Sequence, residues 1–149
     1  FCHGNNINGV MLQLSDDLKS VSVVWRTDVL DTHHGGYVEV NGTIYGSNWI
    51  NNNQGNWCAI DWNTGAKGYE TTWTGGKGKG SIIAADGMLY CYDERRGAVA
   101  LVNPDPAKFD IVSEFRITKG VGPHWAHPVI VNGVLYIRHG FALMAYKVK

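Results

Sequence analysis

Short β-branched and aromatic runs alternate with glycine-rich turns along this chain, and three of the runs repeat. Tyr37 to Tyr45 reads Tyr-Val-Glu-Val-Asn-Gly-Thr-Ile-Tyr, and Ile82 to Tyr90 reads Ile-Ile-Ala-Ala-Asp-Gly-Met-Leu-Tyr. Val129 to Tyr136 reads Val-Ile-Val-Asn-Gly-Val-Leu-Tyr. In each, an apolar run enters Asn-Gly or Asp-Gly and a second run leaves it. This predicts a β-hairpin, because a type I′ turn needs positive φ at both central positions and these pairs supply it. Gly42, Gly87 and Gly133 recur about every 45 residues, a period that points to a repeat architecture.

A third strand is predicted after each hairpin, over Trp57 to Asp61, Ala98 to Val102 and Ala142 to Tyr146. A fourth follows in two units, over Tyr69 to Trp73 and Ile111 to Ile117. Four short strands in a repeat of this length make one β-propeller blade. The expected fold is therefore all-β, with about three blades of four antiparallel strands and an incomplete ring, since a ring takes roughly four to eight blades.

The expected division is 1–30 as the rear half of a blade (Val10 to Leu14, then Val21 to Arg26), 31–75 and 76–121 as blades, and 122–149 as a last blade lacking its fourth strand. Phe1 to Asn8 is Gly/Asn-rich and a poor candidate for that missing strand. The remaining blades are expected from a longer parent chain or from other chains, and an open edge invites strand pairing. Asp16 to Lys19 and Pro104 to Lys108 are each long enough for a single helical turn.

Composition narrows the partners. Lys+Arg and Asp+Glu both number 13, so the chain lacks the basic excess that nucleic acid or an anionic membrane would select. No run approaches the ~20 apolar residues of a membrane span. The chain begins at Phe1, which reads as a boundary left by processing, expression or fragmentation. Cys58 and Cys91 fall in apolar strand patterns and read as small buried thiols. With Cys2 the count is odd, and one disulfide is left open.

The second unit carries Ala59-Ile60-Asp61-Trp62-Asn63-Thr64-Gly65, then Lys67 and Trp73. This resembles the Ala-x-Asp-x-x-x-Gly-Lys…Trp signature of pyrroloquinoline-quinone (PQQ) repeat propellers, with Ala66 intervening before Lys67. The Asp and Thr-Gly would fix the turn between strands three and four, and the Trp would pack between blades. Trp25 and Phe115 hold the corresponding places. Asn103-Pro104-Asp105-Pro106 replaces the turn in the third unit. His33-His34-Gly35-Gly36, Lys79-Gly80-Ser81-Ile82 and Gly122 to Pro128 are similar to segments of secreted bacterial PQQ-binding-like or polyvinyl-alcohol-dehydrogenase-like propellers. The resemblance implies a periplasmic or extracellular setting and the C-terminal portion of such a protein. It also brings PQQ with calcium as a cofactor to test.

Aligning the units places His33 and His34, Gly78 and Lys79, and His124 and Trp125 at matching positions, with His127 one step further in. These residues either hold loop geometry between blades or line a channel mouth suited to a small anionic or carbohydrate-like ligand. Metal ligation by His124 and His127 with His33 or His34 is a third reading, without a diagnostic spacing. Arg138 either reaches the channel or pairs with an acid of a neighbouring blade, the pair being the expectation. Asp93, Glu94, Arg95 and Arg96 read as solvated loop charge, and no motif around them matches the carboxylates of a quinoprotein site. Two functions compete: a propeller that binds a ligand or partner at its channel mouth, and a PQQ-dependent alcohol dehydrogenase-type oxidoreductase.

Overall fold

A computed structural model describes residues 1–4, 8–76 and 78–148. Lys77, in the glycine-rich run before Lys79, and the segment 5–7 lie outside the described residues. The described residues hold fourteen strands in four antiparallel sheets and no helix.

The first sheet contains β1 (Cys2–Gly4), β2 (Asn8–Leu14) and β3 (Val21–Thr27). The second is a meander of β4 (Tyr37–Val40), β5 (Thr43–Ser47), β6 (Trp57–Asp61) and β7 (Lys67–Thr71). The third repeats it with β8 (Gly80–Ala85), β9 (Met88–Asp93), β10 (Ala98–Asn103) and β11 (Asp110–Arg116). The last holds β12 (Val129–Val131), β13 (Val134–His139) and β14 (Ala142–Lys147).

The hairpin turns are as expected. Asn41, Asp86 and Asn132 have φ of 51°, 52° and 50°, and the glycines after them are also positive. One strand was not foreseen. Cys2 to Gly4 pairs with β2 in the register Cys2↔Val10 to Gly4↔Asn8. Backbone pairing asks nothing of side-chain pattern, so a Gly/Asn-rich segment serves.

The blades are held together by the cores between them. Met11 and Leu30 pack with Ile44, Cys58 and Ile60. Tyr45, Trp57, Tyr69 and Trp73 pack with Leu89, Cys91 and Val102. Tyr92, Val99 and Ile117 pack with Leu135 and Ile137. Cys58 and Cys91 are free, buried thiols, whose burial raises their pKa.

The three expected packing aromatics each touch the next blade. Trp25 donates from Nε1 to the Trp62 carbonyl at 3.1 Å and lies flush against Gly65, where a Cβ would come within 2.5 Å of the ring. Trp73 donates to Glu114 Oε2 at 2.9 Å. Phe115 meets Tyr146 at 4.9 Å between ring centroids. The turn that presents Gly65 is built as its sequence suggests. Asp61 Oδ1 accepts from the Asn63 and Thr64 amides and the Thr64 hydroxyl, at 3.0, 2.8 and 2.8 Å.

A β-bulge recurs in the outermost strand of three sheets. Register slips between Met11 and Leu12, between Ala59 and Ile60, and between Leu101 and Val102. The extra residues are Val24, Gly68 and Val112, 44 positions apart in each case. Val24 and Val112 are 53% and 54% exposed. Gly68 faces the Pro106 carbonyl so closely that a Cβ would come within 2.1 Å of it.

Candidate functional site: the channel mouth

In each meander the loop from the second strand to the third, and the connection to the next blade, emerge on the same face. Segments 31–36, 48–56, 72–79, 94–97 and 117–128 therefore gather there. Most of the expected site residues belong to these segments.

Lys79 is only 3% exposed. Its ammonium donates to Glu94 Oε1 at 2.7 Å and to the carbonyls of Asn51 and Asn52 at 3.0 and 3.3 Å. Those three acceptors use all three of its N–H groups. The hairpin explains the pairing. Gly80 opposes Asp93 in the β8–β9 register, so one step further Lys79 opposes Glu94, whose amide donates to the Lys79 carbonyl at 3.1 Å. Lys79 also ties its own blade to the Asn51–Gln54 loop of the preceding one. That loop is stiffened by Asn51 Nδ2 donating to Gln54 Oε1 at 2.9 Å.

Glu94 is 7% exposed, so it is not the solvated loop charge that its sequence neighbours suggested. Its second oxygen lies 2.9 Å from His34 Nε2, close enough for charge–dipole attraction but not aligned as a hydrogen bond. Burial pushes the His34 pKa down, with the Glu94 charge pulling the other way. Lys79 and Glu94 therefore cancel one another beside an imidazole whose charged form burial disfavours.

Above this pair lie rings. Trp125 stands edge-on to His34 at 5.4 Å and is 57% exposed. His33, exposed, sits 5.1 Å from His34 and 6.4 Å from Trp49 between centroids. His127 contacts the His34 carbonyl through Nε2 at 2.9 Å, which ties the last blade back to the loop of the second. The structure thus brings His33, His34, Lys79, Trp125 and His127 together.

The remaining two expected residues go elsewhere. His124 is buried with its ring stacked on His139 at 3.7 Å and its Nδ1 at 2.5 Å from the Tyr92 hydroxyl. Burial, and then His139, lower its pKa to about 4. His139 in turn places its ring nitrogens 2.7 Å from the Lys119 and Gly122 carbonyls. His124 is thus a packing element between the last two blades. Arg138 is exposed and makes no ion pair among the described residues. It lines a small cavity of about 180 Å³ with Pro123, Trp125 and Gly140.

Glu94, Trp49, Arg95 and His139 were not picked out as site residues from sequence. The signal for Glu94 was present in the hairpin register, since a lysine entering a channel needs a counter-charge and the residue opposite it is an acid. Trp49 is the second unit's counterpart of Glu94. No pattern marks Arg95 or His139.

The carboxylates do not fit a calcium and quinone site. Glu94 is committed to Lys79 and His34. Asp93 is fully buried, its Oδ2 accepts from the Arg95 and Arg96 amides, and burial raises its pKa. Among the described residues no three His, Cys, Asp or Glu side chains converge on a point that could hold a metal ion.

No family model matches the sequence, and no curated protein matches it. Solved structures do match the fold. BamB from Moraxella catarrhalis superposes on 95% of this chain with a TM-score of 0.64 and 14% sequence identity. The chain spans 44% of that BamB chain. At such low identity the likeness concerns fold alone, and with the repeated meanders it makes this chain an unclosed arc of β-propeller blades.

Proposed function

We propose that this propeller arc binds a small carbohydrate-like ligand at the channel mouth, with Trp125 and His33 as the contact surface and His34, Lys79 and His127 as its frame. The observation that carries the reading is Trp125. A large apolar ring left 57% exposed, yet positioned edge-on against a half-buried histidine, is a stacking platform for a ring. An anionic ligand is less well served than the residue types suggested, because Lys79 already faces Glu94. By its resemblance to PQQ-repeat propellers, we assign the protein to the quinoprotein-like group and to a periplasmic or extracellular setting. The dehydrogenase reading finds no favouring geometry in the committed carboxylates.

Tryptophan emission of the purified protein, followed during titration with neutral mono- and disaccharides and with PQQ plus calcium, tests this. A saturable change with a saccharide, lost in Trp125→Ala while the melting temperature holds, is the expected result. A response that survives Trp125→Ala, or no response to any saccharide at millimolar concentration, would overturn the proposal. Saturable PQQ binding with calcium-dependent dye reduction would establish the dehydrogenase instead.

A further inference from the structure

A second, larger hollow lies on the same face, outward from the mouth and between the second and third blades. It encloses about 560 Å³, within the range of small-molecule sites. One wall is the loop after β5, with Ile50, Gln54 and Asn56. Another is the segment after β7, with Thr72, Trp73 and Thr74. Arg95, from the loop after β9 of the next blade, closes it.

Arg95 crosses the blade boundary and donates from Nη1 to the Asn53 carbonyl at 2.9 Å. That contact orients the guanidinium without neutralising it. No carboxylate pairs with Arg95 among the described residues. Of its five N–H groups this bond uses one. Of the two acids just before it in sequence, Glu94 is paired with Lys79, and Asp93 spends Oδ2 on the backbone amides of Arg95 and Arg96. Asp93 acts on Arg95 through space without touching it, and an oriented, permanently charged fork with no carboxylate in contact, lining a cavity, is the arrangement that recognises a carboxylate.

The other walls say what the carboxylate is attached to. Asn56 donates its Nδ2 to Glu70, which leaves its carbonyl as an acceptor. Gln54 and the two threonine hydroxyls add groups that both donate and accept. Ile50, half exposed, supplies the apolar side, and Trp73 forms the floor with only 3% of its surface open. Dense two-way hydrogen-bonding groups beside an aliphatic side chain suit a ring bearing hydroxyls. We infer that the Arg95 cavity is a binding site for a carboxylate-bearing polyol ring of the uronic acid type, separate from the channel mouth.

The probes are galacturonate, galactose and N-acetyl-glutamate amide, titrated calorimetrically into the Trp125→Ala protein so that the mouth does not contribute. Galacturonate should bind, galactose should bind about tenfold more weakly or worse, and added salt should weaken galacturonate alone. Arg95→Gln should lower galacturonate affinity about tenfold or more, and Arg95→Lys less. Gln54→Trp, which fills the cavity from an exposed loop, should abolish binding with the charge intact. The inference is overturned if galacturonate does not bind at millimolar concentration, if Arg95→Gln leaves its affinity unchanged, or if galactose binds equally well. Preference for the glutamate amide would also overturn it, pointing to an acidic peptide. The outcomes for galacturonate, Arg95→Gln and the glutamate amide leave the saccharide test at Trp125 untouched, whereas equal galactose binding at this cavity, which Trp73 lines, would be seen there as a response that survives Trp125→Ala.

Discussion

The frame of the channel mouth and the Arg95 cavity lie side by side on one face, and they treat a positive charge in opposite ways. Lys79 is sealed between two blades, with every N–H matched to an oxygen and its charge cancelled by Glu94. Arg95 starts two residues after Asp93 in the same hairpin but stays at the surface, held by one neutral carbonyl. A buried charge without a partner is costly, so the lysine can sit there only because its acid does. A surface guanidinium carries no such debt and keeps its charge for something outside the fold. Residue type alone suggested that the lysine was the ligand-facing cation. Burial reverses that assignment.

The sharpest way to break the comparison is to remove the two partners in turn. Glu94→Leu leaves the Lys79 ammonium buried and unpaired, and should cost about 3–5 kcal/mol in urea unfolding. Adding Lys79→Met should return most of that loss, since an apolar pair of similar volume replaces a buried ion pair well. A single variant that costs less than about 1 kcal/mol would show that Lys79 reaches water after all.

A smaller effect comes from pH. At pH above 6.5, the ordinary value, the His124 ring is neutral whether folded or unfolded. Below it the unfolded ring takes up a proton, while the folded ring refuses one until about pH 4. Stability should therefore fall across that interval, by about 1–2 kcal/mol once solvent screening at the ring edge is allowed for. His34, also lowered, acts in the same direction. Asp93, whose carboxyl burial holds above its usual range, gains stability as pH falls and opposes them. In acid unfolding curves, His124→Phe should flatten the slope between pH 6.5 and 4. An unchanged slope would assign it to His34.

The smallest effect is expected at Arg95. Arg95→Leu should change unfolding free energy by about 0.5 kcal/mol or less, as at other surface positions without a network. A loss as large as that of Glu94→Leu would make Arg95 a second bolt between blades rather than a free cation.

The hairpins were legible because an Asn-Gly or Asp-Gly pair states its own backbone angles. The inter-blade aromatics Trp25, Trp73 and Phe115 were legible as large rings near the end of each fourth strand, but their places are not equivalent: the register sets Trp25 level with Tyr69 and Ser113, and Trp73 lies beyond the end of β7. The first strand was not, since Cys2 to Gly4 joins the sheet through backbone bonds that leave no periodic trace. Within the site, the gathering of His34, Lys79 and Trp125 follows from their matching places in the repeat. The fate of Glu94 does not follow from its own surroundings, a run of four charged residues that looks like any solvated loop. It is decided by an imidazole 60 positions earlier and a lysine 15 positions earlier. His124 misled in the opposite sense: a histidine beside an exposed tryptophan belongs to the stack with His139.

The bulges at Val24, Gly68 and Val112 set how these blades meet anything beyond themselves. A flat outermost strand presents a straight row of amides and carbonyls that a strand of another molecule can copy. Each bulge breaks that row at one place and adds local twist. A foreign strand would lose its alignment within a few residues of starting. Three blades therefore carry, at the same place in the repeat, a built-in stop against sheet growth from their rims, even where a valine is left facing water.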